Sequence, residues 1–131
     1  MSTSVEIVRE ALEAFARGDV EGALKFADPE IECRRVPPLP DPQIYRGAEG
    51  VLQMYADWTA DFEEFEMRPL EFLEVGDWVL CDMIQRGRGR ASGVPTEGRF
   101  WLAWQFVAGK VVRQYAYLTK EQALAEISPS A

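Results

Sequence analysis

The sequence contains no histidine, and this absence excludes more chemistry than any other feature of the composition. Without imidazole there is no Ser-His-Asp triad, no histidine general base near neutral pH, and no histidine ligand for zinc, iron or copper. Only two cysteines are present, Cys33 and Cys81, too few for a disulfide framework or a four-thiolate metal site. We therefore expect reduced thiols and neither a metal nor another cofactor.

Basic residues are in the minority. The 131 residues include 14 Lys and Arg against 22 Asp and Glu, which gives a formal net charge of −8. Nucleic acids and anionic membranes attract basic surfaces, so neither is expected as a partner. No apolar run approaches the roughly 18 residues of a membrane span, and the N-terminus does not resemble a secretion signal. The sequence thus predicts a cytoplasmic protein, with one domain over residues 1–131.

The spacing of apolar residues predicts the order of helices and strands. A period of three to four predicts a helix near the N-terminus, a short second helix that ends at Asp28-Pro29, and a third from Gly47 to about Phe62. Thr3 and Glu6 are suited to form a capping box at the start of the first helix. A short strand containing Ile31 precedes a proline-rich loop, and a last helix follows Thr119. A period of two predicts four more strands, at Phe65 to Val75, Trp78 to Ala91, Glu97 to Val107 and Val111 to Leu118. A change of phase in the first of these predicts a bulge or sharp bend at Arg68-Pro69. This order predicts an α+β fold with the helices on one face of a curved antiparallel sheet.

Short motifs along the chain carry a resemblance to a known family. They are Val5-Glu6-Ile7-Val8-Arg9-Glu10-Ala11-Leu12 followed by Arg17-Gly18-Asp19, then Tyr45-Arg46-Gly47, Glu74-Val75-Gly76-Asp77, Gln85-Arg86-Gly87-Arg88-Gly89 and Gly109-Lys110-Val111-Val112. In order and spacing they resemble the nuclear transport factor 2-like superfamily, specifically its SnoaL-like, polyketide cyclase-related branch. The resemblance implies a cystatin-like α+β barrel, in which the sheet wraps round helices as a cone. It also implies a pocket inside the cone and a homodimer formed through the convex face.

The resemblance also identifies catalytic groups that this chain lacks. Ketosteroid isomerases of the superfamily use an aspartate base, a tyrosine and a protonated aspartic acid, and the matching positions here are Cys33, Ala11 and Leu102. Related epoxide hydrolases use an Asp-Arg-Asp trio, in which Gln85 replaces one aspartate. Many SnoaL-like relatives carry histidine at the position of Leu102. None of these mechanisms is therefore expected, and whether the protein is an enzyme is left open.

Seven residues are the candidates for contact with a ligand inside the cone: Cys33, Tyr55, Trp58, Gln85, Leu102, Trp104 and Gln114. By the resemblance, Tyr55 lies on the pocket side of the third helix, where it either packs in the core or donates to a ligand carbonyl as the candidate catalytic residue. Gln85 and Gln114 are amides on otherwise apolar faces. Since a buried amide without a partner is costly, they either pair inside the protein or orient a ligand.

The remaining candidates have two interpretations each. Trp58 and Trp104 either stack on a planar ligand or fill the cone. Cys33 is either a small apolar filler or a thiolate whose pKa is lowered by Arg35.

Charges and glycines on the strands allow further predictions. Arg86, Arg88 and Arg90 share one face and are expected to form an exposed ladder paired with glutamates. Gly87 and Gly89 face the other way and leave room for a helix or a ligand near the backbone.

The aromatic side chains of Trp101, Tyr115 and Tyr117 are predicted on the outer face, and covering them favours a homodimer.

Together these observations predict that the protein binds a small hydrophobic molecule in an apolar, cone-shaped pocket. Chemistry of the metal-free isomerase, cyclase or hydratase kind is compatible with that pocket, with Tyr55, Gln85 or Gln114 polarising an oxygen atom. The alternative is a non-catalytic dimeric interaction or sensor domain whose pocket is filled by its own side chains.

Overall fold

The computed structural model describes residues 3–34 and 44–127. Within these ranges the chain forms four helices and six strands. In chain order they are α1 (Ser4–Ala16), α2 (Val20–Leu24), β1 (Ala27–Arg34), β2 (Ile44–Arg46), α3 (Gly47–Thr59), β3 (Phe62–Val75), β4 (Trp78–Gly89), β5 (Pro95–Val107), β6 (Lys110–Tyr117) and α4 (Lys120–Ile127). Most of the predicted proline loop, with all four of its prolines, and Arg35 lie outside the described residues. None of the described helices is long and apolar enough to cross a membrane.

The six described strands form one curved sheet in the order β2-β1-β6-β5-β4-β3. Neighbouring strands are antiparallel, except that β1 and β6 run parallel. The predicted α+β class with a curved, mainly antiparallel sheet is therefore confirmed. A parallel pair is possible here because β1 and β6 are far apart in sequence and are joined by a long connection rather than a hairpin.

Polar side chains cap the N-termini of the first two helices. Thr3 Oγ1 accepts a hydrogen bond from the backbone N–H of Glu6 at 3.1 Å, and the Glu6 carboxylate accepts one from the N–H of Thr3 at 3.2 Å. This reciprocal capping box was predicted from the sequence. Asp19 caps α2 by accepting from Gly22 N–H at 2.9 Å, and Gly18 ends α1 with a φ of +76°.

Several element boundaries differ from the prediction because strand pairing overrides local helical periodicity. The second helix ends at Leu24, since Ala27 already pairs with Val111 of β6. The third helix ends at Thr59, because Phe62 pairs with Gly89 and begins β3. Strand β2 was not predicted.

Apolar side chains cover both faces of the sheet. The helices α1 and α3 cover the inner face, where they form the inner core with residues such as Val8, Cys81 and Leu102. The helix α4 packs on the outer face, where Ala123 and Ile127 contribute to a second cluster. The prediction that all helices share one face is therefore wrong for α4. That second cluster contains Leu80, Ala103, Tyr117, Ala123 and Ile127.

The outer-face aromatics are less exposed than the sequence suggested. Tyr117 is 4% exposed because it belongs to the cluster under α4. Trp101 and Tyr115 are half-buried, and the guanidinium of Arg34 lies 4.2 Å from the centre of the Tyr115 ring. Intramolecular packing therefore covers part of the surface that had suggested dimerisation.

Two irregularities determine which side chains face inward. The predicted bulge near Arg68-Pro69 is confirmed by a register shift between Pro69 and Glu71. A second shift occurs where β5 meets β6, and it places Val111 in the inner core. Val112 therefore does not continue the inner face, and it lines a surface depression with Glu32 and Arg113.

The arginine ladder pairs with glutamates at two of its three positions. Arg86 pairs with Glu97 at 2.8 Å and Arg88 with Glu64 at 3.7 Å, as expected, whereas Arg90 Nε donates to the backbone oxygen of Ala60 at 3.1 Å. The space beside the glycines is occupied by the protein itself. A Cβ atom at Gly87 would lie 3.1 Å from the Phe62 ring, and one at Gly89 would lie 2.7 Å from the Ser92 hydroxyl. These side chains occupy the space that had been assigned to a helix or ligand.

Candidate ligand-binding site

The structure distributes the seven predicted ligand residues over distinct regions of the helix-covered side of the sheet. Trp104 and Gln114 line a small enclosed space, which we call the closed cavity, together with residues of α1 such as Ile7 and Ala11. Trp58 and Gln85 line a wider hollow with Phe62, Gly98 and Phe100, which we call the Trp58 depression. Tyr55 lines neither; it lies in the Tyr55 groove, formed with Leu12, Phe15, Ala16 and Phe65 to Arg68. Cys33 and Leu102 are packed in the inner core.

The closed cavity has a volume of only about 10 Å³. This is about the space needed for one water molecule. Its surroundings are tightly packed, since Trp104 is 3% exposed and Gln114 is 7% exposed. Leu102, at 2% exposed, fills the neighbouring part of the inner core. A ligand could reach these residues only if the core rearranged.

The two cysteines are buried thiols. Cys33 Sγ lies 3.9 Å from Gln114 Oε1, to which it donates a weak hydrogen bond. Burial, with a smaller contribution from Glu32, raises the pKa of Cys33 to about 12. Burial likewise raises the pKa of Cys81 to about 12. Since only a thiolate is a good nucleophile, neither residue is suited to covalent catalysis at neutral pH.

Trp104 has an unusual environment for a buried tryptophan. Its indole N–H is fully buried and has no hydrogen-bond partner among the described residues. Its neighbour across the β5–β6 pair is Gln114, whose side-chain oxygen interacts with Cys33 instead. The closed end of the inner face therefore contains a buried donor that the surrounding protein leaves unsatisfied.

The Trp58 depression is larger and more open. Its volume is about 320 Å³, and Arg99 and Leu118 complete the lining. The rings of Trp58 and Phe100 contact each other, with centroids 5.1 Å apart and planes inclined at 52°. Phe100 is only 4% exposed, whereas the half-buried rings of Trp58 and Phe62 provide an aromatic surface against which a flat molecule can pack.

A single hydrogen bond connects the two predicted residues of the depression. Trp58 Nε1 donates to Gln85 Oε1 at 2.8 Å. Gln85 and Gln114 thus have different side-chain partners. Opposite Gln85 lies Gly98 of β5, where a Cβ atom would be 3.9 Å from Gln85 Nε2. The glycine leaves open the space next to this amide nitrogen.

Tyr55 lies apart from these groups because it stacks on α1. The rings of Phe15 and Tyr55 are nearly parallel, with centroids 5.4 Å apart. The Tyr55 groove has a volume of about 270 Å³ and includes the charged residues Glu66 and Arg68. The structure therefore separates the predicted catalytic residue from Trp58 and Gln85.

A tyrosine–aspartate pair was not anticipated from the sequence. The hydroxyl of Tyr45, which is buried in the inner core, donates to Asp57 Oδ2 at 2.8 Å. Gln53 Nε2 donates to the other oxygen, Asp57 Oδ1, at 2.7 Å. The spacing of Gln53 and Asp57 by one helical turn was the only signal for this cluster. No group of three or more metal-ligating side chains occurs within the two described ranges.

Residues 8–114 match the family model of the SnoaL-like domain. Among solved structures, a nuclear transport factor 2-like protein from Burkholderia thailandensis is 22% identical with a TM-score of 0.80, covering 98% of this chain and 100% of its own. TerC, co-crystallised with polyporic acid, is 21% identical with a TM-score of 0.77, covering 94% of this chain and 95% of its own. IdmH from Streptomyces antibioticus, a proposed polyketide cyclase, is 18% identical with a TM-score of 0.72, covering 88% and 91%. No curated protein matches.

Proposed function

Because the chain belongs to the SnoaL-like family, we propose that it binds a small, flat hydrophobic molecule, and that the binding site is the Trp58 depression. The observation that carries this proposal is the combination of aromatic side chains with one hydrogen-bonding amide around a hollow of about 320 Å³. Small-molecule sites are typically apolar hollows of about 300–1,000 Å³ with a few well-placed polar groups. The Trp58 depression has both properties.

Two solved relatives support this proposal by analogy. TerC was crystallised with polyporic acid, and IdmH is a proposed polyketide cyclase, so ligand binding and cyclase-like chemistry are both compatible with the fold. If the bound molecule is converted, we propose that Gln85 polarises its oxygen, without a metal. Tyr55 is the weaker candidate because it lines a separate groove.

A thermal-shift screen with steroids, terpenoids and aromatic polyketides tests the proposal. A ligand at one hundred times its Kd adds about 2.7 kcal/mol to stability, which raises the Tm by roughly 10 °C. Two variants locate the site. Gly98→Val fills the Trp58 depression, since a Cβ at residue 98 makes only ordinary contact with Gln85, at 3.7 Å from Cγ. Ala16→Leu is the matched control, because Ala16 is exposed and lines the Tyr55 groove.

We expect ligands that stabilise the wild type to lose their effect in Gly98→Val and to keep it in Ala16→Leu. Both variants should fold, because a valine is favourable in a strand and a leucine in a helix. If stabilisation is instead lost in Ala16→Leu and kept in Gly98→Val, the binding site is the Tyr55 groove. An absence of any shift across the whole screen would contradict ligand binding.

The second candidate function is a dimeric interaction or sensor domain whose pocket is filled by its own side chains. The small volume of the closed cavity favours it, because Trp104 and apolar neighbours such as Ile31 and Val51 already fill that end of the cone. We propose that such a dimer forms through the outer face, where Trp101 and Tyr115 remain half-buried and Leu73 is exposed. Light scattering at micromolar concentration tests this proposal, and the mass of a monomer would contradict it.

A further inference from the structure

The orientation of the Gln85 amide in the Trp58 depression is determined by its neighbour. An indole N–H is a donor only, so Trp58 Nε1, at 2.8 Å, requires the amide oxygen as its acceptor. The NH₂ group of Gln85 must then occupy the other position of the amide. Trp58 thus selects one of the two orientations that a glutamine side chain can adopt.

The structure also indicates where this NH₂ group lies. Gln85 Nε2 is 3.9 Å from the position that a Cβ atom would take on Gly98, and both residues line the depression. No hydrogen bond from this nitrogen to another described residue is present, and the side chain is half-buried. The amide therefore offers the depression a hydrogen-bond donor, while its acceptor is already engaged by Trp58.

From this arrangement we infer that the depression selects molecules that present a hydrogen-bond acceptor, such as the carbonyl oxygen of a flat ketone or quinone. A donor group at the same position would face the NH₂ group of Gln85 and would remain unpaired, which is costly in a partly desolvated site. This inference rests on the proposed function and specifies its ligand class. In it, Gln85 is the residue that contacts the ligand, and Trp58 is a positioning residue.

Three flat tricyclic probes of nearly equal size separate the effects of shape and polarity. Fluorene has no polar group, fluorenone carries a carbonyl acceptor, and carbazole carries an N–H donor. Dissociation constants are measured by isothermal titration calorimetry at pH 8 with the intact chain. For the wild type we expect fluorenone to bind about tenfold more tightly than fluorene or carbazole, the effect of one good hydrogen bond.

Three variants assign the preference to the proposed pair. Gln85→Leu removes the donor at similar size and should abolish the advantage of fluorenone. Gln85→Glu presents only acceptors at pH 8 and should favour carbazole over fluorenone. Trp58→Phe keeps an aromatic ring but releases the amide, which can then turn either group towards the ligand. The preference between fluorenone and carbazole should therefore fall below about threefold, a difference under 1 kcal/mol.

The results distinguish failure of the inference from failure of the proposed function. If all three probes bind the wild type equally well, a flat hydrophobic ligand is supported but the acceptor preference is wrong. If fluorenone keeps its advantage in Gln85→Leu, the donor is another group, such as Arg99 at the edge of the depression, and the inference is overturned. If none of the probes binds, both the inference and the proposed function are contradicted.

Discussion

The inner face contains two tryptophan–glutamine pairs whose surroundings differ. At the closed end, Trp104 and Gln114 are neighbours across the β5–β6 pair, yet the indole N–H has no partner among the described residues. At the open end, Trp58 donates to Gln85 at 2.8 Å beside a hollow of about 320 Å³. The same two residue types thus form a packed core in one place and a prospective site in the other.

This difference shows that residue type alone does not identify a ligand contact. Trp104 is held in the cone by surrounding apolar side chains and lines a cavity of only about 10 Å³. Trp58 lies next to Gly98, which has no side chain to fill the space beside the amide of Gln85. The glycine opposite Gln85, more than either aromatic ring, makes the open end accessible.

The largest expected effect is the loss of folding stability when a buried side chain of the inner core is shortened. Leu102→Ala removes a side chain that is 2% exposed, and we expect a cost of about 3 kcal/mol from lost burial and the cavity left behind. The matched variant Leu118→Ala lies at the open end, where the side chain is 45% exposed, and should cost less than about 0.5 kcal/mol. Urea unfolding measures both. Equal costs would mean that the two ends do not differ in packing.

A substitution on the outer face should lower stability without affecting either end. Arg34 pairs with Glu126 of α4 at 2.7 Å and packs over the Tyr115 and Tyr117 rings. We expect Arg34→Ala to cost about 1 kcal/mol in urea unfolding, because the ion pair and the ring contacts hold α4 on the sheet. Binding of fluorenone at the Trp58 depression should not change. Altered binding would show that the two faces are coupled.

The same ion pair should make stability depend on acid pH. Its hydrogen bond with Arg34 lowers the pKa of Glu126 in the folded protein. A lowered carboxyl pKa stabilises the fold above the ordinary value of about 4.3 and loses this contribution as the pH falls through the lowered pKa. Glu126→Gln should therefore be less stable than the wild type at pH 7, with the difference shrinking as the pH falls below about 4.3. A difference that stayed constant as the pH was lowered through this range would contradict this assignment.

The two tryptophans provide a smaller but direct comparison. Trp104→Phe loses apolar contact but also removes a buried N–H without a described partner, so its net cost should be below about 1 kcal/mol. Trp58→Phe should alter ligand preference with little effect on stability, because Trp58 is half-buried. Calorimetric unfolding measures both variants. A cost above about 2 kcal/mol for Trp104→Phe would indicate that its N–H is satisfied.

The smallest expected effect concerns the two thiols. Burial raises the pKa of both Cys33 and Cys81 to about 12, so neither should react with iodoacetamide in the folded protein at pH 8. Mass spectrometry should detect labelling of both only after unfolding. Rapid labelling of Cys33 in the folded state would indicate an accessible thiolate within the core.

Local patterns made much of the fold predictable. The capping box at Thr3 and Glu6 and the alternation along β4 and β5 depend on near neighbours in the sequence, and both occur as predicted. The position of α4 and the pairing of β2 with β1 depend on contacts between distant residues. The local spacing of apolar residues does not reveal such contacts. The spacing of apolar residues predicted the order of the elements apart from β2, but not the layer to which α4 belongs.

The candidate site was less predictable than the fold. Strand alternation, together with the family resemblance for Gln114, placed Gln85, Leu102, Trp104 and Gln114 on the inner face, where the structure also has them. The alternation could not show that bulky neighbours bury Leu102, Trp104 and Gln114, while Gly98 leaves Gln85 accessible. The separation of Tyr55 from Gln85 follows from its stacking on Phe15, a contact between two helices that no local pattern predicts.

The central claim is that the open end binds a flat, acceptor-bearing molecule, and a crystal structure of the fluorenone complex tests it most directly. We predict that the rings pack against Trp58 and Phe62, with the ketone oxygen about 2.9 Å from Gln85 Nε2. Fluorenone bound in the Tyr55 groove, or with its oxygen directed away from Gln85, would contradict the claim.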